Sequence, residues 1–274
     1  MSSVRVPTAL VWVTPAFVSG APVDHTWVTT YDSRTEPMPD AESVASAGEH
    51  YWFCWGSFHP VGDPPAPLRS GPLNLPLAAC LVLPNADSRE QPAARGTIMN
   101  YGADGLCHQL ANQVLWAAQG PSGAPLTVAG ANGYRASVFL YGEYGVQDAA
   151  WAAKKRSCSQ YAGAGGGGGQ MANDQDDDFD AAARKVLPPA RFEKLRSLRK
   201  RVRAELATSA AANIRSLPGE RAAVEINARI RQYLEEAAML LTREEFQTLF
   251  GFAPGENIEL VDPNMVGSHL AASR

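Results

Sequence analysis

Short apolar runs separated by loops dominate the first half of the chain. The loops are rich in proline, glycine and acidic residues, whereas the runs contain many β-branched and aromatic residues, which favour strands. This pattern predicts a small sheet. Its predicted strands lie at 8–14, 25–31, 51–55, 77–83 and 134–141.

Apolar residues at helical spacing predict four helices. One lies in the first half of the chain, over Leu106–Trp116, with Asp104 placed to cap its N-terminus. The other three lie near the C-terminus, where apolar stripes run through 192–206 and 226–241. The last helix, over 242–250, opens with a Thr-x-x-Glu capping box, which is a helix-start signature.

Composition divides the chain into two units joined by a linker. Residues 1–150 hold 6 Arg, no Lys and 12 acidic residues, whereas the remainder holds 18 basic and 16 acidic residues. Residues 163–169 are nearly all glycine and an acidic run follows them, which is typical of a flexible linker. We therefore expect an α+β domain over 1–160, a linker over 161–180 and a helical region over 181–274.

Hydrophobic and charged residues make up 45% and 19% of the chain, which is ordinary for a globular protein. No apolar run is long enough for a membrane span, and the first apolar segment is interpreted as a strand, not as a signal peptide. Cysteine is sparse and forms no Cys-x-x-Cys pair, so we expect a cytoplasmic protein with reduced thiols, a secreted effector being the alternative. Cys54 and Cys80 are expected in buried strands, and Cys158 is expected to be exposed.

One cysteine lies where its thiol can do chemistry. A glycine-containing loop, 100–106, leads to Cys107 at the start of the first predicted helix. Free backbone N–H groups and the positive end of the helix dipole favour a thiolate there. The same amides can donate to a developing oxyanion. Cys107 is therefore the candidate nucleophile.

A thiol nucleophile needs a base, and histidine is the usual one. His108 follows Cys107 directly on the predicted helix, so we expect its side chain to point elsewhere. His25 opens a predicted strand, which would fix its position, and is the preferred partner. His50 and His59, on either side of the aromatic third strand, are the alternatives.

The order of a histidine on a strand, an aromatic strand and a cysteine at a helix start resembles the permuted papain-like cysteine peptidases. The PPPDE family is the most similar group, and the NlpC/P60 and lecithin:retinol acyltransferase-like enzymes share the order more loosely. His25-Thr26 matches the pair that opens a strand in that family. Tyr51–Gly56 matches its aromatic run, and Cys107 with Asn112–Val114 matches its helix. The resemblance covers roughly residues 8–116.

The resemblance implies a fold and a reaction. The fold would be a small antiparallel sheet packed on a helix that bears the cysteine at its start. Cys107 would attack an amide, peptide or isopeptide bond of a peptide or protein and form a thioester, with His25 acting as base and then as acid. The N–H of Cys107 would be one oxyanion donor, and the side chain of Asn100 or Tyr101 the second.

Two other functions remain open at this point. The chain would be a non-enzymatic interaction protein if its amphipathic C-terminal helices bind a protein partner. It would be a thiol acyltransferase if the thioester is passed to a lipid or small molecule instead of water. The abundance of Ala, Gly, Arg and Pro is typical of GC-rich bacterial genomes, which favours a peptide or cell-wall amide as substrate.

We expect neither a cofactor nor a metal. The set His50, Cys54 and His59 has no metal-ligand spacing, and the glycine run lacks the Gly-Lys-Ser/Thr of a phosphate loop. Residues 184–203 hold nine basic residues and one acidic residue. They also carry a regular apolar stripe, so they are interpreted as the solvated side of a helix and nucleic-acid binding is not expected.

Overall fold

The computed structural model describes most of the chain, and the statements below concern that part. The described residues are 7–16, 23–31, 51–52, 66–81, 101–162, 177–210, 219–263 and 266. Several predicted features lie outside them: Asn100, His50, His59, Cys54 and the glycine run 163–169.

The described strands form one antiparallel sheet. Its order is β3-β2-β1-β4, so the first two strands of the chain lie at its centre. The strands are β1 Thr8–Pro15, β2 Asp24–Tyr31, β3 Tyr51–Trp52 and β4 Ala66–Pro72. The prediction of strands at 8–14 and 25–31 is confirmed, and the α+β class is confirmed with it.

The described residues form eight α-helices. In the first half they are α1 Leu75–Leu81, α2 Cys107–Leu115, α3 Tyr134–Tyr141 and α4 Asp148–Ala162. In the second half they are α5 Asp178–Val186, α6 Pro189–Glu205, α7 Gly219–Leu240 and α8 Arg243–Phe250. A π-helical turn, Leu206–Ala210, extends α6.

The two central strands are buried on both faces. Trp12 lies opposite Trp27 in the register, and its indole N–H donates to Thr29 Oγ1 at 2.8 Å. Because side chains alternate along a strand, His25 shares a face with Trp27 and Thr29, whereas Thr26 lies on the other face. This alternation decides which β2 side chains can meet the cysteine helix.

Two predicted strands are helices. Within the segment predicted as a strand at 77–83, the described residues 77–81 belong to α1. The Asn74 side-chain oxygen caps the first turn of α1 by accepting from Leu77 N at 3.2 Å. The segment at 134–141 is α3, which begins after Gly133 at φ 77°. Almost all of α3 is buried. A helix covered on nearly every side carries no polar stripe, so its sequence shows no helical period.

The helix predicted over Leu106–Trp116 is confirmed as α2, but its cap is not Asp104. Leu106 occupies the N-cap position, and its N–H donates to Gln109 Oε1 at 2.9 Å. The Asp104 carboxylate instead accepts from the side-chain amide of Gln147 at 2.9 Å. A glutamine reaching back from the first turn therefore replaces the expected aspartate cap.

The C-terminal helices confirm the predicted stripes and correct one boundary. The capping box of α8 is formed, with Thr242 Oγ1 accepting from Glu245 N at 3.2 Å. Residues 178–180, predicted as linker, are the start of α5, and Asp177 is its N-cap. Helices α5, α6 and α8 all pack against α3, so the helical region rests on the first half of the chain.

Arg199 joins three helices at this junction. Its guanidinium, on α6, lies 2.8 Å from Asp180 of α5 and also pairs with Asp177. It donates to the carbonyl oxygens of Val138 and Phe139 on α3, at 2.8 and 3.3 Å. The residue is only 4% exposed, so these acceptors replace its lost hydration.

A disulfide joins α1 to α4. It links Cys80 and Cys158, which are 78 residues apart in sequence. The expectation of reduced thiols is wrong for this pair, and Cys158 is fully buried instead of exposed. Asn74 Nδ2 also donates to the Tyr161 carbonyl at 2.7 Å, so α4 is held to the α1 region at two points.

No helix in the described part of the chain is both long enough and apolar enough to cross a membrane. The longest described helix is α7, with 22 residues, and charged side chains recur along it.

Replacing both disulfide cysteines by alanine should lower the free energy of unfolding by about 2–5 kcal/mol, because the cross-link restricts the unfolded chain. Urea unfolding of the parent and of the Cys80→Ala/Cys158→Ala variant measures this difference. Peptide mapping without reductant should show the two cysteine peptides linked. Finding both peptides separate would contradict the disulfide.

Arg199→Met should destabilise the protein by about 3–5 kcal/mol, because it leaves two largely buried carboxylates without their cation. Arg201→Met is the matched control on the same helix, since its ion pairs with Glu205 and Glu236 are exposed. It should cost at most about 1 kcal/mol. Equal effects of the two substitutions in urea unfolding would contradict the role of Arg199.

Candidate functional site

A tight loop presents Cys107 as the first residue of α2. Within the loop, Gly102 N–H donates to the Gly105 carbonyl at 2.9 Å. Gly102 adopts φ 79°, a left-handed conformation that side chains with a Cβ rarely take. The Tyr141 hydroxyl donates to the Gly102 carbonyl at 2.7 Å, which ties the loop to α3. The helix start and the cysteine therefore have a defined position.

The edge of β2 faces the amino end of α2. In the described part of the chain, β3 pairs with β2 only at Val28 and Thr29, so the Asp24–Thr26 edge is left to other partners. The Asp24 carbonyl oxygen lies 4.0 Å from Cys107 Sγ, within reach of a weak S–H hydrogen bond. The thiol is thus seated between a strand edge and a helix start.

Four polar groups near the sulfur favour the charged form of the thiol. They are the backbone N–H groups of Thr26, Cys107 and His108 and the Thr26 hydroxyl, and each lowers the pKa of the thiol. The Thr26 hydroxyl makes no hydrogen bond of standard geometry in the described chain, so its contact with the sulfur is a weak one. Donors around a sulfur favour its anionic form.

Burial raises the pKa of the Cys107 thiol by more than these donors lower it. The Cys107 residue is 8% exposed, and desolvation of the charged form raises the pKa of its thiol from 9.0 to about 11. At neutral pH the thiol is therefore protonated. Sequence reasoning predicted a thiolate from the helix start, and it missed the burial that opposes it.

His108 and the Cys107 thiol share one acceptor, the carbonyl oxygen of Asp24. Its Nε2 lies 2.9 Å from the Asp24 carbonyl oxygen, and its Nδ1 lies 2.9 Å from Ser137 Oγ. A carbonyl only accepts, so Nε2 carries the proton and Nδ1 faces the serine hydroxyl. The expectation that His108 points away from the site is wrong, because its ring connects α2 to β2 beside Cys107.

Burial keeps the His108 ring neutral. Desolvation lowers the pKa of the imidazole from 6.5 to about 4, and the bond to the Asp24 carbonyl offsets this only in part. A neutral ring can in principle accept a proton. Its Nε2, however, already donates to Asp24, so His108 serves first as a connection between helix and strand.

His25 does not lie on the thiol side of the sheet. Its ring stacks on Trp27 with 5.6 Å between centroids, on the face opposite Thr26. The structure therefore does not place the predicted base on the face where Thr26 contacts the sulfur. Asn100, the predicted oxyanion donor, lies outside the described residues.

Tyr101, the alternative oxyanion donor, is near the thiol but engaged elsewhere. Its hydroxyl accepts from the backbone N–H of Asp262 at 3.0 Å. Burial raises the pKa of Tyr101, and a negative charge on Cys107 would raise it further. The phenol and the thiol are thus electrostatic neighbours, and Tyr101 links the loop to the C-terminal end of the chain.

Polar side chains on α2 were not recognised in the sequence as part of the site. Gln109 donates to Ser137 Oγ at 3.2 Å and to the Gly142 carbonyl at 3.0 Å. Asn112 donates to the Glu143 carbonyl at 2.9 Å, and Gln113 donates to the Tyr144 carbonyl at 2.8 Å. The available signal was a run of amides on a helix that also carries an apolar stripe.

A cluster of carboxylates lies beyond Asn112, whose side chain donates to the Tyr134 hydroxyl of α3 at 3.2 Å. Asp178 Oδ2 accepts from Thr127 at 2.9 Å and from Tyr134 at 3.0 Å. Glu143 Oε1 accepts from Asp178 N–H at 2.7 Å. Burial, reinforced by the nearby aspartates, raises the pKa of Glu143 to about 7. This cluster connects the cysteine helix to the helical region.

Metal chemistry has no support in the described residues. Among them, no group of three or more His, Cys, Asp or Glu side chains is arranged to hold a metal ion. The set of His50, Cys54 and His59, whose spacing already argued against a metal site, lies outside the described residues. The chemistry that the described geometry offers is that of the thiol and its donors.

Three comparisons with known proteins found no match to the chain: none among family models, none among curated proteins and none among solved structures. The chemistry of the site therefore rests on its own geometry. That geometry is a buried thiol at the start of a buried helix, with its sulfur and the His108 ring both on the Asp24 carbonyl oxygen.

His108 should make the protein sensitive to acid. Its folded pKa of about 4 lies below its ordinary 6.5, so the stability from the neutral ring is complete above pH 6.5 and is lost as pH falls toward 4. His108→Gln keeps a side-chain N–H donor without titrating.

As pH falls from 6.5 to 4, the parent should therefore lose stability relative to His108→Gln, by up to about 1.4 kcal/mol of unfolding free energy per pH unit. Urea unfolding at a series of pH values measures it. A constant difference across this range would show that His108 is not held neutral.

Proposed function

We propose that the chain is a cysteine hydrolase that cleaves an amide, peptide or isopeptide bond of a peptide or protein, with Cys107 as nucleophile. A small antiparallel sheet whose strand β2 packs on a helix that begins with cysteine supports the permuted papain-like arrangement. The likeness lies in the order of β2 and α2 and in their contact.

One observation carries the proposal: Cys107 is the first residue of α2, and its Sγ lies at the edge of β2, 4.0 Å from the Asp24 carbonyl oxygen. Backbone N–H groups of Thr26, Cys107 and His108 are fixed by a strand and a helix start, so they need no rearrangement to stabilise negative charge. Such charge appears on the thiolate and on the carbonyl oxygen of a tetrahedral intermediate. Amides preorganised in this way are typical of acyl-transfer sites.

The reaction begins by removal of the thiol proton. Sγ then attacks the substrate carbonyl carbon, and the tetrahedral intermediate collapses to a thioester as the leaving amine takes up a proton. Water attacks the thioester, releases the acid and returns the proton to the thiol. Because the resting pKa is about 11, the free thiol is protonated at neutral pH and a base is required.

Two histidines in the described part of the chain are candidates for the base, and the alternatives His50 and His59 lie outside it. His108 lies on the thiol side, but its Nε2 donates to the Asp24 carbonyl. His25 precedes Thr26 in the same strand, but its ring lies on the opposite face. Replacing each in turn assigns the role, since removal of a general base costs about 10²–10⁴-fold in rate.

A second function is favoured by a different observation, the burial of the thiol. A cysteine with pKa about 11 and 8% exposure has the properties of a core residue. In this alternative the chain is a non-enzymatic interaction protein, and the helices that pack on α3 present a surface to a protein partner.

Acylation of Cys107 separates the two functions. Incubation with p-nitrophenyl acetate should yield an acetyl thioester at Cys107, detected by peptide mass spectrometry and removed by hydroxylamine. Its rate should rise with pH, up to tenfold per unit while the thiolate is the minor form. Turnover of a panel of fluorogenic peptide amides should fall at least a thousandfold in Cys107→Ala.

Cys107→Ser is the matched control, because it keeps the shape of the site with a far weaker nucleophile. His25→Ala and His108→Ala complete the set, and only the variant that removes the base should lose the rate at neutral pH. Turnover that survives in Cys107→Ala, or a Cys107 that iodoacetamide alkylates but no acyl donor modifies, would favour the interaction protein.

A further inference from the structure

The end of the described chain lies across the loop that carries Cys107. We call residues 258–263 and 266 the C-terminal strap. After α8 the chain passes Gly255 and returns toward α7, and the apolar strap residues become buried. These residues are Ile258, Leu260, Val261 and Val266.

Asn227 of α7 holds the strap by three hydrogen bonds. Its Nδ2 donates to the Val261 carbonyl at 2.9 Å, and its Oδ1 accepts from the N–H groups of Leu260 and Val261 at 3.2 and 3.0 Å. The side chain is 3% exposed. A buried amide that pairs with two consecutive strap residues fixes the strap backbone in one position.

The strap packs directly on the cysteine loop. A Cβ placed on Gly102 would lie 3.0 Å from Val261 Cγ1, 3.1 Å from Ile226 Cδ1 and 3.5 Å from Val266 Cγ2. Only a residue without a side chain leaves room for so close an approach. Tyr101, the residue before it, accepts the strap's Asp262 N–H at 3.0 Å. Loop and strap therefore form one packed unit.

We propose that the C-terminal strap is an autoinhibitory cover, which holds the 101–106 loop closed over Cys107 and whose release exposes the thiol to substrate. This regulation rests on the proposed hydrolase function. It explains why donors suited to a thiolate surround a thiol that is nearly sealed from solvent. Opening the loop would admit water, remove the desolvation and leave the donors in place.

Loosening the strap should increase the access of Cys107 to a small alkylating agent. We expect the rate of iodoacetamide modification at Cys107, measured by peptide mass spectrometry at pH 8, to rise at least tenfold in Asn227→Ala. Tyr101→Phe removes the hydroxyl that accepts the Asp262 N–H and should raise the rate in the same direction. Hydrogen exchange of the strap peptide verifies its release.

Two variants control for unrelated effects. Gln232→Ala removes a carboxamide from an exposed position on the same helix α7 and should leave the rate within twofold of the parent. Arg199→Met loosens a different junction and should not reach the tenfold increase. If Arg199→Met increases the rate as much as Asn227→Ala does, general destabilisation explains the effect and the strap proposal is overturned.

The outcomes test the strap proposal and the hydrolase proposal separately. Faster exchange of the strap without faster alkylation of Cys107 would overturn the strap proposal, whatever the chemistry of the thiol. Faster alkylation in Asn227→Ala without faster acylation by p-nitrophenyl acetate would keep the strap as a cover and reject the hydrolase. A rise in both rates would support the two together. If Asn227→Ala fails to fold, Tyr101→Phe decides the strap proposal by strap exchange and Cys107 alkylation alone, because Tyr101 is itself a candidate oxyanion donor.

Discussion

The structure depends on a helix that is buried along its whole length although four of its nine residues are polar. Every residue of α2 is buried, and His108, Gln109, Asn112 and Gln113 each reach a partner outside the helix. A buried polar group without a partner costs about 1–3 kcal/mol, so these contacts are obligatory. They fix α2 against the sheet and against the segment after α3, and they thereby fix Cys107.

The same burial acts on the thiol of Cys107, where it opposes the effect of the nearby hydrogen-bond donors. The donors of β2 and α2 favour a thiolate, yet desolvation of the charged form exceeds their effect and sets the pKa near 11. Acyl transfer benefits both from groups that stabilise negative charge and from the exclusion of water. In a closed site the two have opposite effects on the thiol pKa, because exclusion of water disfavours the thiolate that the donors favour. The loop and strap are the part of the structure where this balance can change.

Local signals in the sequence led to part of the site. The glycine loop before Cys107 and the capping box of α8 are short-range features, and both are formed as predicted. The pairing of Cys107 with His25 was a long-range inference from order along the chain. It required the strand to turn His25 toward the helix, and the alternation of side chains turns Thr26 there instead.

The sequence by itself determined the α+β class, the two central strands, α2 and the three long amphipathic or capped helices, because their signals lie within one turn or one strand. Tertiary structure decided that 77–81 and 134–141 are helices. For 134–141 the reason is that a helix buried on nearly every side carries no polar stripe and so shows no period. It also decided the Cys80–Cys158 pair and the neutral states of Cys107 and His108. Desolvation and contacts between distant segments exist only once the chain is packed, so no local pattern encodes them.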